Sequence, residues 1–193
     1  MRFGARKKTE GAAPASKYNA SKAILYLDTE KLVKVTAPEL KEFKETKYDE
    51  IRHILFDSDM EGRYYRDVLL PDIKAGLIRV EMQPKFTLLE KQDKEGIKHQ
   101  AITYTPDFKI IPFTGRAFFV DVKGAEDQKF PLKRKMFDAK FPEYPPLVVM
   151  KYKKKFGGWI TIEEHDKQMR AENKQKKAVS AAASAQPNGE GPR

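Results

Sequence analysis

Short apolar stretches separated by turn residues run through the middle of the chain and predict a mixture of strands and helices. Residues 22–36 alternate apolar and polar positions in part, which favours strands. Pro38–Lys47 is typical of a short helix with proline in its first turn. Ile51–Phe56 fits either a strand or the end of that helix. A longer helix is predicted over 58–75, and Pro71 should kink or split it because proline lacks an N–H donor.

The second half of the chain is rich in β-branched and aromatic residues and predicts a run of strands. A polar turn is predicted at Lys91–Gly96 and a helix at Pro131–Phe141. The extended segments are 77–82, 85–90, 98–104, 107–111, 117–123, 147–152 and 159–162. A helix, several strands, a second helix and a further strand indicate an α/β (α+β) domain around a mixed central β-sheet.

Both ends of the chain lack an apolar stripe. Residues 1–17 are predicted to form a flexible basic arm, and residues 163–193 a polar, basic and largely disordered tail. Thr161 and Glu164 have the spacing of a helix capping box, but a helix that is polar on all sides gains little from packing. The sequence therefore predicts a single domain over residues 18–162.

Composition excludes several classes of protein. The chain of 193 residues is 40% hydrophobic and 11% aromatic, which is sufficient for a core and excludes disorder throughout. It has no cysteine, which excludes disulfides, thiolate zinc sites, iron–sulfur clusters and a cysteine nucleophile. No apolar stretch approaches the roughly 20 residues of a membrane span, and the N-terminus lacks a signal sequence. We expect a soluble, cytoplasmic protein without a membrane partner.

The charge of the chain indicates a polyanionic partner. Lysine and arginine number 38 and aspartate and glutamate 28, so the net charge is +10. A field of this sign attracts nucleic acid and accelerates encounter with it. An anionic membrane surface is a weaker alternative, because no strongly amphipathic basic helix is evident.

Two aspartates and a lysine fall at the ends of predicted strands. Thirteen residues separate Asp107 from Asp121, and Lys123 follows at the end of the same apolar strand. Alternate strand residues point to one face, so Asp121 and Lys123 share a face while Val122 turns into the core. Two carboxylates, a backbone carbonyl and water form a hard oxygen site that suits Mg²⁺ or Mn²⁺. A lysine beside that ion serves the metal-assisted hydrolysis of a phosphodiester.

The order of these residues resembles the PD-(D/E)XK nuclease signature. Pro106-Asp107 reproduces its first element and Asp121-Val122-Lys123 its second. Over about residues 48–150 the chain resembles small phage-derived endonuclease-like proteins of this group. The other matching residues are Phe56-Asp57-Ser58, Glu61, Tyr64-Tyr65, Gln83-Pro84-Lys85-Phe86, Tyr104 and Leu132-Lys133-Arg134-Lys135.

The resemblance implies a restriction-endonuclease-like core, a mixed sheet flanked by helices, and a role for each matching residue. Asp107 and Asp121 would hold Mg²⁺, for which Mn²⁺ can substitute, with the Val122 carbonyl as a further ligand. Lys123 would act on the attacking water, and Glu61, on its helix, would complete the site or hold a second ion. The residues assigned to phosphate contact are Gln83, Lys133 and Lys135.

The resemblance also implies a substrate and a setting. The protein would be a metal-dependent DNA endonuclease that leaves a 5′-phosphate, encoded by a phage or prophage and acting in the bacterial cytoplasm. Holliday junction resolvases are similar small proteins that work as homodimers. The protein is compact and basic and has no recognisable module for sequence-specific DNA binding. These properties favour recognition of branched DNA, such as a Holliday junction in phage recombination or replication.

Other interpretations stay open. Glu61 and Ser58 have capping-box spacing, and Asp121 and Lys123 could form a simple ion pair. Asp107 could start a turn or cap the end of a strand. The protein could be a non-catalytic DNA-binding protein on a degenerate nuclease fold, or a basic protein associated with RNA or the ribosome. The complete set of four residues favours the enzyme.

Overall fold

The computed structural model describes residues 21–124 and 129–184, with side chains described as far as residue 180. The predicted arm at 1–17 and the last part of the predicted tail, 185–193, lie outside these ranges. The chain divides into two compact units, the first ending at Gly62 and the second beginning at Arg63. The single domain predicted over 18–162 stays a prediction.

The first unit contains a three-stranded antiparallel sheet. Its strands are β1 (Lys22–Tyr26), β2 (Lys31–Val35) and β3 (His53–Phe56), in the order β2-β1-β3. The strands predicted over 22–36 are confirmed, and the ambiguous segment at 51–56 ends in a strand. The helix α1 (Ala37–Thr46) forms where predicted, with Pro38 in its first turn and a capping box between Thr36 and Glu39.

The boundary between the units falls inside a helical stretch that the sequence predicted over 58–75. It consists of α2 (Asp59–Tyr64), a π-helical turn at Tyr65–Leu69, and α3 (Leu70–Lys74). The N–H of Leu70 donates to the carbonyl of Tyr65, five residues earlier. The helix is split by this widened turn, which directly precedes Pro71, a residue that lacks an N–H donor and crowds the turn before it.

The second unit has a mixed five-stranded sheet flanked by helices, which confirms the mixed α/β class. The sheet has the order β12-β11-β10-β9-β4, and only β10 and β11 run parallel. Two short antiparallel ribbons, β5 with β8 and β6 with β7, connect β4 to β9. The elements are β4 (Ile78–Met82), β5 (Phe86–Leu89), β6 (Gln92–Lys94), β7 (Ile97–His99), β8 (Ile102–Tyr104), β9 (Phe108–Pro112), β10 (Phe118–Val122), α4 (Phe130–Lys140), β11 (Val148–Lys153), β12 (Gly158–Thr161) and α5 (Ile162–Ser184).

The segment between β5 and β8 differs from the prediction. The sequence predicted a polar turn at 91–96 and one strand at 98–104, but residues 92–99 form the β6–β7 hairpin and β8 is separate. Two residues with left-handed backbone conformation form the turn of this hairpin. Glu95 and Gly96 both have positive φ, and the Asp93 carboxylate accepts from the Gly96 N–H at 2.9 Å.

Aromatic side chains fill both faces of the five-stranded sheet. On one face, Phe119 of β10 packs edge-on against Phe137 of α4 and Phe86 of β5, with ring centroids 5.3 and 5.0 Å apart. On the other face, Tyr64 lies 5.9 Å from Phe108 of β9. Val120 is opposite Phe108 in the ladder, so the two adjacent residues Phe119 and Val120 anchor β10 in both layers.

The C-terminal segment forms a helix where the sequence predicted a largely disordered tail over 163–193. The N–H of Glu164 donates to the Thr161 hydroxyl at 3.2 Å, as the capping pattern predicted. Arg134 of α4 pairs with Glu163 at 2.5 Å, and Lys155 pairs with Glu172. Alanine, lysine, glutamine and glutamate are strong helix formers, and these contacts add support that the sequence pattern does not show. Neither α5 nor any other helix in the described ranges is long and apolar enough to cross a bilayer.

Candidate active site

The two candidate aspartates lie at neighbouring positions of adjacent strands, Asp121 within β10 and Asp107 directly before β9. Phe119 lies opposite Lys109 and Val120 opposite Phe108 in the antiparallel ladder between β9 and β10. One further step of this register places Asp107 opposite Asp121. The Asp107 carboxylate accepts a hydrogen bond of 2.6 Å from the Val122 N–H, which fixes it against the end of β10. The structure therefore brings the predicted carboxylate pair together.

Lys123 lies directly beside Asp121, as the alternation of strand residues predicted. Its ammonium is 2.6 Å from Asp121 Oδ2 and 4.9 Å from the ring centroid of Phe130, a cation–π contact. The Lys123 N–H donates to the Met150 carbonyl at 2.9 Å, which extends the pairing of β10 with β11. Its side chain is 26% exposed and that of Asp121 is 1% exposed, so solvent or substrate reaches the site from the lysine side.

Asp121 is a buried carboxylate with a hydrogen-bond donor at one oxygen and an ion pair at the other. The Tyr104 hydroxyl donates to Oδ1 at 2.8 Å, and Lys123 faces Oδ2. The Lys123 ammonium lies 2.6 Å from Oδ2, so this oxygen is stabilised by an ion pair. Burial, followed by the charge of Asp121, its hydrogen bond and the charge of Asp107, raises the pKa of Tyr104 far above its usual range. The hydroxyl therefore stays protonated and keeps its role as donor.

Tyr104 matched the family pattern, but no role was predicted for it. Its position three residues before Asp107, in a strand that must bury an aromatic hydroxyl, is a signal that could have indicated one.

The hydroxyl of Tyr104 gives a prediction for stability. Tyr104→Phe should lower the free energy of unfolding by about 1–3 kcal/mol, because a buried carboxylate oxygen loses its donor. Urea denaturation followed by circular dichroism measures this change. Tyr152→Phe is the matched control, because Tyr152 is 41% exposed. If both substitutions lowered the free energy of unfolding equally, the hydrogen bond from Tyr104 to Asp121 would contribute no more to stability than an exposed hydroxyl does.

Gln83 joins the row of site residues from the neighbouring strand. Its N–H donates to the Asp107 carbonyl at 2.9 Å, and the register of β4 with β9 places it opposite Asp107. Its φ is +50°, a left-handed conformation that a side chain other than glycine adopts at a cost of about 1–3 kcal/mol. Gln83, Asp107 and Asp121 thus follow one another across three strands. Phosphate contact by Gln83 stays a prediction.

The predicted pair Lys133 and Lys135 does not share a helix face. Lys133 is half-buried, and its ammonium donates to the Thr103 carbonyl at 3.1 Å, next to Tyr104. Lys135 is exposed on α4, and two helical positions correspond to a rotation of about 200°. The structure therefore places Lys133 beside the strand that holds Tyr104 and directs Lys135 elsewhere.

Lys151 is a second lysine on the site's face of the sheet, and the sequence did not single it out. Its side chain is buried, with 7% exposed. Val122 lies opposite Met150 in the parallel ladder, so the next step places Lys151 beside Lys123. The available signal was its position two residues after Val149 on an apolar strand, a spacing that places both side chains on one face.

Glu61 belongs to the first unit, and its capping interpretation is observed. The Ser58 hydroxyl donates to Glu61 Oε1 at 2.7 Å, and the Glu61 N–H donates to the Ser58 hydroxyl at 3.2 Å. Glu61 is 8% exposed. Its convergence with Asp107 and Asp121 on one cation stays a prediction. In the ranges that the structure describes, no group of three or more histidine, aspartate or glutamate side chains is arranged to hold a metal ion.

Comparison with known proteins gives one family. A family model described as "Protein of unknown function (DUF1064)" matches residues 41–157, more than half of the chain. This region includes every candidate site residue named above. Neither the curated proteins nor the solved structures contain a match to the chain. The chain belongs to the DUF1064 family.

Proposed function

We propose that this protein is a metal-dependent DNA endonuclease of the PD-(D/E)XK type. The observation that supports this function is the adjacent placement of Asp107, Asp121 and Lys123 at the ends of two neighbouring strands. Asp121 is 1% exposed, and burial of a carboxylate is costly unless charge or a ligand compensates it. The cation that compensates this carboxylate is a lysine that is itself open to solvent on one side.

The donor set fits Mg²⁺, with Mn²⁺ as a substitute. Asp107 and Asp121 supply carboxylate oxygens, and Val122 has a backbone carbonyl between Asp121 and Lys123. Magnesium sites commonly use one or two carboxylates, with water and substrate phosphate as the remaining ligands. Asp121 Oδ2 faces the Lys123 ammonium at 2.6 Å, so Mg²⁺ would share or replace this cation at the oxygen. When bound, the metal would polarise the phosphate and favour deprotonation of water.

The protein's own residues would position the reactants. Lys123 would orient the attacking water and offset the negative charge that grows on the phosphate. The water oxygen forms a bond to phosphorus, the bond to the 3′ oxygen breaks, and this oxygen receives a proton. The products are a 5′-phosphate and a 3′-hydroxyl. Tyr104 would hold the Asp121 carboxylate in place throughout, since its hydroxyl stays protonated.

The charge of the chain supports DNA as the substrate, and its architecture supports recognition by shape. With a net charge of +10, the protein attracts a polyanion whatever its sequence. We propose branched DNA, such as a Holliday junction, as the preferred substrate, in phage recombination or replication in the bacterial cytoplasm. Lys133, Gln83 and Lys135 are the proposed phosphate contacts.

A second candidate function has one specific observation in its favour. The ion pair of 2.6 Å between Lys123 and Asp121 is the contact expected if the two residues are only structural. In that case the protein would bind DNA on a degenerate nuclease fold without cutting it.

Incubation of the full chain with a panel of DNA substrates tests the proposal. The panel contains a four-way junction, a flap, nicked, single-stranded and supercoiled DNA, with Mg²⁺ or Mn²⁺ at one fixed salt concentration. We expect cleavage that EDTA abolishes and that is fastest on the branched substrates. Salt-sensitive DNA binding without cleavage under either metal would support the second function. Tighter binding to duplex RNA than to any DNA would support an RNA-associated protein instead.

A further inference from the structure

The strand β4 lies at an edge of the five-stranded sheet. It pairs with β9 along one side, and no strand pairs with its other side among the residues that the structure describes. An edge strand of five residues offers unpaired N–H and C=O groups to another strand. Gly76 and Pro84 delimit this segment, so its edge is free of proline over the whole length of the strand.

The side chains of β4 are complementary to those of a second β4. Arg79 and Glu81 are both exposed and flank Val80 on the strand. Antiparallel pairing of two copies about Val80 places Arg79 of each copy opposite Glu81 of the other. Such a contact uses the same residues on both sides, as a twofold interface requires, and forms two cross-strand ion pairs. Within each copy, the Lys109 ammonium of β9 also lies 2.9 Å from the Glu81 carboxylate and holds it in position.

Apolar surface adjoins the same edge. Phe113 is 88% exposed and Leu77 is 56% exposed, next to the start of β4. Both side chains line a cavity of about 830 Å³, together with Ile78 and Val80 of β4 and Tyr65 of the π-helical turn. Exposed apolar surface beside an open strand edge is typical of a site of association.

We propose that β4 forms the interface of a homodimer, in which two five-stranded sheets join into one continuous sheet. A twofold axis perpendicular to the sheet places the Asp107–Asp121 rows of both copies on the same face. The two Asp121 residues are then about five strand spacings apart, or about 24 Å across the strands. This inference does not depend on nuclease activity, because the strand edge and its charges define the interface alone.

Charge exchange at β4 tests the homodimer. Sedimentation equilibrium of the full chain should give the mass of a dimer. Arg79→Glu and Glu81→Arg should each weaken association by at least about tenfold, because like charges then face each other in both cross-strand pairs. An equimolar mixture of the two variants should recover the dimer. One chain of the mixed pair then carries acidic side chains at both positions and the other basic side chains, so both cross-strand pairs join opposite charges.

Lys98→Glu on the β6–β7 hairpin is the control, because it reverses an exposed charge that lies away from β4. Circular dichroism verifies that every variant is folded. A monomeric mass for the wild-type chain would overturn the proposal. The proposal would also be overturned if the folded Arg79→Glu variant dimerised as strongly as the wild type. It would equally be overturned if the mixture of the two variants stayed monomeric. None of these measurements uses DNA, so their outcome is distinct from that of the cleavage assay.

Discussion

Lys123→Met is expected to lower Mg²⁺-dependent DNA cleavage by at least about 100-fold, the usual effect of removing a group that stabilises charge in the transition state. The methionine keeps the length and apolar stem of the side chain over Phe130 but removes the ammonium beside Asp121. DNA affinity should change little, because one charge of a strongly basic surface contributes little to non-specific binding. Initial rates of cleavage and binding isotherms at one salt concentration measure the two effects separately.

The fold must be kept intact for this comparison. Lys123→Met alone leaves Asp121 buried without its ion pair, and loss of one partner of a buried pair is destabilising. The double variant Asp121→Asn, Lys123→Met removes both charges and should recover stability while staying inactive. Lys98→Met, on the exposed β6–β7 hairpin, is the matched control for loss of a lysine. Cleavage by the folded Lys123→Met variant at the wild-type rate would exclude a catalytic role for Lys123.

The local part of the site could be predicted from the sequence. Alternation along a strand is a property of the backbone, so the shared face of Asp121 and Lys123 followed from their spacing alone. The capping contact between Ser58 and Glu61 is equally local, since the two partners lie three positions apart on one turn of helix. The functional assignment of these residues came instead from resemblance, and it stays a proposal.

The contacts between strands could not be predicted in the same way. The pairing of Asp107 with Asp121 depends on the register of β9 with β10, and Lys151 reaches the same face only because β11 runs parallel to β10. Strand order and register depend on packing over long distances in the sequence. Tyr104 illustrates the same limit, because its hydrogen bond to Asp121 joins residues on elements that belong to different sheets.

Where the secondary structure differed from the prediction, weak apolar signals were the cause. The β6–β7 hairpin is exposed along its whole length, so it has no buried face to produce alternation. The helix α5 is polar on most sides, and contacts of Glu163 and Glu172 with distant residues support it. Hydrophobic periodicity detects elements that bury a face, and these two elements bury little.

Phe137→Ala is expected to lower the free energy of unfolding by about 3–5 kcal/mol, the usual cost of truncating a buried phenylalanine. Phe137 is 1% exposed, and its ring centroid lies 5.1 Å from that of Phe86, 5.3 Å from Phe119 and 5.7 Å from Tyr104. Because Tyr104 packs on this ring and also donates to Asp121, the cavity should loosen the site as well as the core. Urea denaturation measures the loss of stability.

Leu132→Ala on the same helix is the control, since Leu132 is 62% exposed and its truncation should change stability by less than about 0.5 kcal/mol. Phe137→Leu should fall between the two, because leucine refills much of the space but loses the edge-on ring contacts. If Phe137→Ala and Leu132→Ala unfold at the same urea concentration, the aromatic cluster does not hold α4 on the sheet. Tyr104, and through it Asp121, would then depend on other contacts for their position.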